Sequence, residues 1–217
     1  SGRLSQRPDV AALVVVLCFV AFLNAFGMIT PADQLASYLA ATVGITSPAL
    51  TTLVTFLVGG IAVPLLLVTG AAAWTRGFAL EQRSLVAVAS RWSFMLAPIG
   101  FGMWTAHHLM HFLMTGGTLL PVVASRLGQA SSHVPTRHDM VRASLVPETW
   151  VQPITLVALE LGMLLSVFVA YRIAEREYGR NNRTLLVALP WMLIAISLAA
   201  IGAWLLVQPM QMRGMLA

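Results

Sequence analysis

Charge is what this sequence lacks most. Only 10% of its 217 residues are charged, while 58% are hydrophobic. A soluble domain carries about 25% charged residues to cover its surface. A globular exterior in water is therefore excluded, and most of the surface must face lipid. Lysine is missing altogether, so the net charge of +5 rests on arginine. In such a composition the arginine excess encodes membrane topology and not an acidic partner, and a nucleic-acid module is excluded. Cysteine occurs once, at Cys18. That excludes an internal disulfide and any four-cysteine zinc or iron–sulfur centre. Gly-x-Ser-x-Gly, His-Glu-x-x-His and a phosphate-binding glycine loop are all missing, which leaves soluble hydrolase and nucleotide chemistry without a foothold. Nor does any internal repeat suggest an inverted-repeat transporter.

What the sequence has is long apolar runs, with a mean hydropathy of +0.82. A membrane span needs about 20 apolar residues to cross about 30 Å of hydrocarbon. Five runs meet this, at about 10–30, 50–74, 92–116, 151–171 and 184–208. The prediction is an all-α, polytopic membrane helical bundle of one domain over residues 1–217. Residues 1–9, charged and holding a proline, read as a linker ahead of the first span.

Arginines orient it. Arg3, Arg7, Arg76, Arg83, Arg91, Arg172, Arg176, Arg180 and Arg183 fall on one side, against Arg126, Arg137, Arg142 and Arg213 on the other. The positive-inside rule then places the N-terminus in the cytoplasm and the C-terminus outside. Between the first two spans, Thr30 as cap, Pro31 at the first helical position and Asp33 in the first turn predict a surface helix over 31–43, with Gly44 as its stop. Ser47 and Pro48 open the second span in the same way. The mixed-polarity stretch 118–150 is an outer loop long enough to cap the bundle or serve its function.

The third span carries the most chemistry. It reads Pro98-Ile-Gly-Phe-Gly-Met-Trp-Thr-Ala-His-His-Leu-Met-His111. His107 and His111 are one turn apart and share a face with Met103, while His108 points elsewhere. Pro98 interrupts the backbone hydrogen bonding, and Gly100 and Gly102 admit close helix neighbours. In the fourth span Glu160 sits inside an apolar run, where an ionisable side chain is costly and normally has a partner. Glu160 is 12 residues from Arg172, and Met103 is 12 from Arg91. Both therefore lie roughly 18 Å from the arginine boundary at 1.5 Å per residue. The sequence thus predicts that Glu160, Met103, His107 and His111 converge in the outer half of the bundle. His108, His133, His138, Met210 and Met212 are accessory candidates on the same side. Thioethers suit Cu(I), and imidazole suits copper, iron or zinc. Haem is harder to hold, because every intramembrane histidine is on one span. A quinone pocket needs only apolar walls and a proton partner such as His107 or Glu160, with Trp104 beside them.

The runs Phe101-Gly-Met-Trp-Thr-Ala-His-His-Leu-Met-His-Phe112, Met114-Thr-Gly-Gly-Thr-Leu-Leu-Pro-Val-Val123 and Gln208-Pro-Met-Gln-Met-Arg-Gly214 together resemble the C-terminal membrane region of bacterial membrane-bound ferredoxin-type proteins, the respiratory polyferredoxins. They cover about 30 of the 217 residues. The resemblance implies electron transfer or assembly work around a respiratory chain. The chain departs from that pattern in having no cysteine motif. The resemblance therefore implies iron–sulfur clusters upstream of Ser1 or on another subunit.

The expected function is an integral subunit or domain for redox or metal handling in a respiratory complex of the bacterial inner membrane. Copper, haem or quinone would be its cofactor, and the lipid bilayer and an iron–sulfur domain or subunit its partners. Two rivals stand beside it. One is a proton-coupled transporter or export component built on Glu160 and the histidine face, with Pro64, Pro98 and Pro190 as kinks. The other is a non-catalytic membrane anchor or assembly factor, in which the polar residues only join helices.

Overall fold

A computed structural model describes residues 7–44, 46–119, 123, 144–180 and 182–208. The described elements named below are all helical. Helix α1 spans Pro8–Phe26, α2 Thr30–Val43, α3 Pro48–Ala79, α4 Leu85–Thr118, α5 Glu148–Tyr178 and α6 Asn182–Val207. Five of them, all but α2, are long and apolar enough to cross a membrane. The chain is thus a multi-pass helical bundle with lipid-facing sides, as the apolar runs predict. Helices α3, α4 and α5 overrun the predicted spans at both ends, whereas α1 stops at Phe26, short of the predicted 30, and α6 closely matches its span. The third span begins at Leu85 rather than 92, because Ser84 caps it by accepting from the Ala87 N–H at 3.2 Å.

Helix α2 keeps the predicted position but not the predicted cap. Ile29 precedes the helix in an extended conformation, Thr30 is already helical, and no side chain caps the start. Gly44 closes it at φ 73°, a left-handed conformation that glycine adopts without strain. None of its residues is buried, in keeping with a helix outside the bundle.

The core forms around α4. Met95, Leu96, Ile99, Met103 and Ala106 are fully buried, and Trp92 stacks on Trp191 of α6 with centroids 5.5 Å apart. Two glycines of α4 make two different contacts. A Cβ on Gly100 would meet the Cys18 Cα of α1 at 2.8 Å, and one on Gly102 would meet the Gly162 Cα of α5 at 3.0 Å. Opposite Gly102, α5 shows a small residue every fourth position: Ala158, Gly162, Ser166, Ala170 and Ala174. Lipid offers no hydrophobic drive for helices to pair, so close backbone approach along such a stripe supplies packing instead.

The intramembrane prolines each leave a backbone group to be satisfied inside the protein. Pro190 cannot donate to the Leu186 carbonyl, and the Trp74 Nε1–H of α3 donates there instead at 3.0 Å. Beside it the Thr75 hydroxyl donates to the Val187 carbonyl at 3.2 Å and accepts from Trp191 Nε1 at 2.9 Å. Near Pro98 a 3-10 turn, Ser93–Met95, interrupts α4, and the Ile99 N–H donates to Ser166 Oγ at 2.9 Å. Pro64 follows a π turn, Val58–Ala62, in α3.

One end of the bundle gathers the arginine-bearing loops. Arg83 donates to Glu177 at 2.9 Å, Arg91 pairs with the same carboxylate, and Tyr178 donates to Glu81 at 3.2 Å. The hydrogen bond to Glu177 raises the pKa of Arg83, outweighing the effect of its slight burial. This cluster ties the α3–α4 loop to the end of α5. The opposite end carries the α1–α3 connection and the histidines.

Candidate functional site

The site is built on the last three turns of α4 before Thr115. Gly100 and Gly102 bring α1 and α5 against this helix and thereby fix its rotation. That rotation turns Met103, Ala106, His107 and Met110 inward, and all four are buried. His107 is only 2% exposed, and His111, one turn on, is half-buried. The two imidazoles meet edge to face, with centroids 4.7 Å apart and planes at 82°.

Buried polar atoms normally find partners. Here His107 Nδ1 and His111 Nε2 are both buried with no hydrogen-bond partner, as is Thr105 Oγ1. Such an orphan costs about 1–3 kcal/mol. Two of them on neighbouring rings form a local concentration of unused nitrogen donors. Neutral imidazole offers one lone pair per ring, the chemistry a soft or borderline metal ion takes. Met103 and Met110 are thioethers buried on the same side of α4.

His108 is placed differently. It is exposed, and its Nδ1–H donates to the Trp104 carbonyl at 2.8 Å, which leaves Nε2 as the free nitrogen. Its ring lies 4.5 Å from that of Trp104 and 5.4 Å from that of His107. The rings of His111, His107, His108, Trp104 and Phe101 thus form a chain from the half-buried His111 through the interior to the lipid-facing side. Trp104 belongs to the exposed end of that chain and not beside His107 and Glu160.

Glu160 does not join the histidines. Gly102 packs against Ala158, Leu159 and Gly162, so Glu160 has the depth that helix rise assigns it, level with Met103. Its direction is different: Glu160 is exposed. It is two residues from both Ala158 and Gly162, and at about 100° per residue it stands on the far side of α5 from their stripe. Close packing of the small residues decides the rotation, and the carboxylate is turned away from α4. Spacing along a single helix had indicated the depth but not this rotation.

Among the described residues no group of three or more His, Cys, Asp or Glu comes together as a metal site. The α4 pair, with methionine, is the donor set available there. The accessory candidates His133, His138, Met210 and Met212 lie outside the described residues. Clefts among the described residues lie elsewhere, two of them against α1. One of about 320 Å³, almost wholly apolar, lies between α1, α3 and the start of α4, lined by Ala12, Val16, Pro64 and Ser90 among others. One of about 380 Å³, more polar, lies between α1, α2 and α3, lined by Asn24, Asp33, Thr51 and Thr55 among others. Neither includes a histidine. The two partners, the Trp74 indole that donates to the carbonyl Pro190 leaves open and the Ser166 hydroxyl that accepts from the Ile99 N–H, escaped the sequence reading. Each proline announces an orphan carbonyl, but nothing local says which distant side chain answers it.

No family model, curated protein or solved structure matches this chain.

Proposed function

We propose that this chain is a membrane-integral subunit or domain that handles a soft metal ion in a respiratory system of the bacterial inner membrane, with His107 and His111 as ligands. The observation that carries the reading is the pair of buried, unpartnered nitrogens, His107 Nδ1 and His111 Nε2, on rings 4.7 Å apart. Met103 is the natural third donor, and a His₂Met set favours Cu(I) among the common metals. A haem fits less well, because two histidines one turn apart on one helix cannot take opposite faces of a porphyrin. Proton-coupled transport through a joined His–Glu site loses its support, since Glu160 faces away from the histidines. In this reading the arginine-bearing end of the bundle is cytoplasmic. The ligand pair then lies in the outer half and is reached from outside.

The test is elemental analysis of the detergent-purified protein for copper and iron, beside His107→Ala and His111→Ala. The expected result is near-stoichiometric copper in the parent and at least a tenfold loss in both variants, each retaining parental helicity by circular dichroism. Iron with a haem spectrum would move the reading to haem redox work. No metal in folded parent protein, even after incubation with Cu(I) under reducing conditions, would overturn it.

A further inference from the structure

Glu160 is left unexplained by the metal site, and its surroundings are specific. It lies 12 residues from Glu148 at one end of α5 and 12 from Arg172 near the other, about 18 Å from each at 1.5 Å per residue. No glutamate side chain reaches a polar boundary over that distance, so snorkelling is not open to it. Around it Val157, Leu161, Leu164 and Phe168 are exposed and apolar, each at least 55% accessible. Among the described residues Glu160 has no hydrogen-bond or ion-pair partner. A carboxyl in the middle of a span, turned outward among leucines, is expensive in lipid, and such residues normally pair within protein.

The inner face of α5 is already used, by α4 along the Ala158–Gly162–Ser166 stripe and by α6, where Gly202 packs on Leu159. The remaining face is free. A second copy meeting it across a two-fold axis at this point would set carboxylate against carboxylate. The complementary occupant carries the opposite charge. We infer that the Glu160 face of α5 docks a transmembrane helix of another subunit, one that presents an arginine, lysine or histidine at the level of Glu160. The flanking leucines and Phe168 supply its apolar contact, and the ion pair sets its register.

The test places a photo-crosslinking amino acid at Leu161 or Leu164 of the full chain in the membranes of its own cells, with Phe101 on the exposed side of α4 as control. Adducts are identified by peptide mass spectrometry. The expected result is one adduct from both α5 positions and none from Phe101. The crosslinked peptide is a membrane span of a different protein that contains a basic residue. Glu160→Leu should lower the adduct yield from Leu164 at least fivefold, and Glu160→Gln, which keeps hydrogen bonding, should lower it less. The leucine variant replaces an exposed group, so folding is retained and is checked by its helicity. Adducts only with lipid, with this same chain, or with a span lacking a basic residue would overturn the inference. So would an unchanged yield in Glu160→Leu.

Discussion

A buried imidazole with a free nitrogen must either have a ligand or weaken the fold, and the two cases have opposite signs under mutation. His107 is the sharpest instance, at 2% exposure with Nδ1 unpartnered. Replacing it with leucine removes the orphan and keeps most of the side-chain volume. Metal-free His107→Leu should therefore melt at or above the temperature of the metal-free parent, by up to the roughly 1–3 kcal/mol that an orphan costs. Adding Cu(I) should raise the Tm of the parent alone, because a ligand stabilises only the state that binds it. Scanning calorimetry or light-scattering melts of both proteins, with and without metal, decide this. A metal-free variant that melts well below the parent would mean that His107 makes a packing contribution greater than its orphan cost. At this scale the sequence was informative in one direction only. The four-residue spacing of His107 and His111 established that they share a face. The outward turn of Glu160 followed from Ala158 and Gly162, whose significance depends on which helix lies opposite.

Helix pairs in this bundle are held by what is missing from them. Gly162 has the Pro98 carbonyl 2.7 Å from where its Cβ would stand, and the Gly102 Cα at 3.0 Å. Both obstacles are backbone, which cannot swing aside. Gly162→Val should therefore force α4 from α5, destabilising by about 1–3 kcal/mol or more, and should disturb the histidine face as α4 shifts. Gly70 in α3 is the control: a Cβ there meets nothing within 4 Å. Gly70→Ala should be neutral or stabilising, by up to about 1 kcal/mol from helix propensity. The two variants compared by thermal unfolding in one detergent separate packing from propensity. A Gly162→Val protein with parental Tm would show that the α4–α5 crossing does not hold the fold. The prolines teach the same lesson about legibility. Pro64, Pro98 and Pro190 mark interruptions in the sequence, but their compensations are a π turn, a 3-10 turn with Ser166, and the Trp74 indole. Those depend on contacts between spans, which periodicity along one span does not contain.

Across the whole molecule the architecture follows from composition, because a chain with 10% charged residues has few ways to hide its backbone other than as packed membrane helices. Direction in the membrane is a prediction from arginine placement. At the arginine-bearing end Glu81 and Glu177 neutralise part of the charge of Arg83 and Arg91, yet acidic residues weigh little in the positive-inside rule. That end should therefore be cytoplasmic. The chain supplies its own blank for a labelling test, since its one cysteine, Cys18, is buried against Gly100. Gln82→Cys places a thiol on the exposed α3–α4 loop, and Ser47→Cys places one on the exposed approach to α3 at the other end. In intact spheroplasts a membrane-impermeant maleimide should label Ser47→Cys at once. It should label Gln82→Cys only after the membrane is opened, and the parent in neither case. The reverse pattern would invert the bundle and place the histidine pair on the cytoplasmic side, where it would draw its metal from inside the cell. Labelling of both from outside would mean that α1 through α3 do not cross as assigned. The topology thus decides which compartment can load His107 and His111.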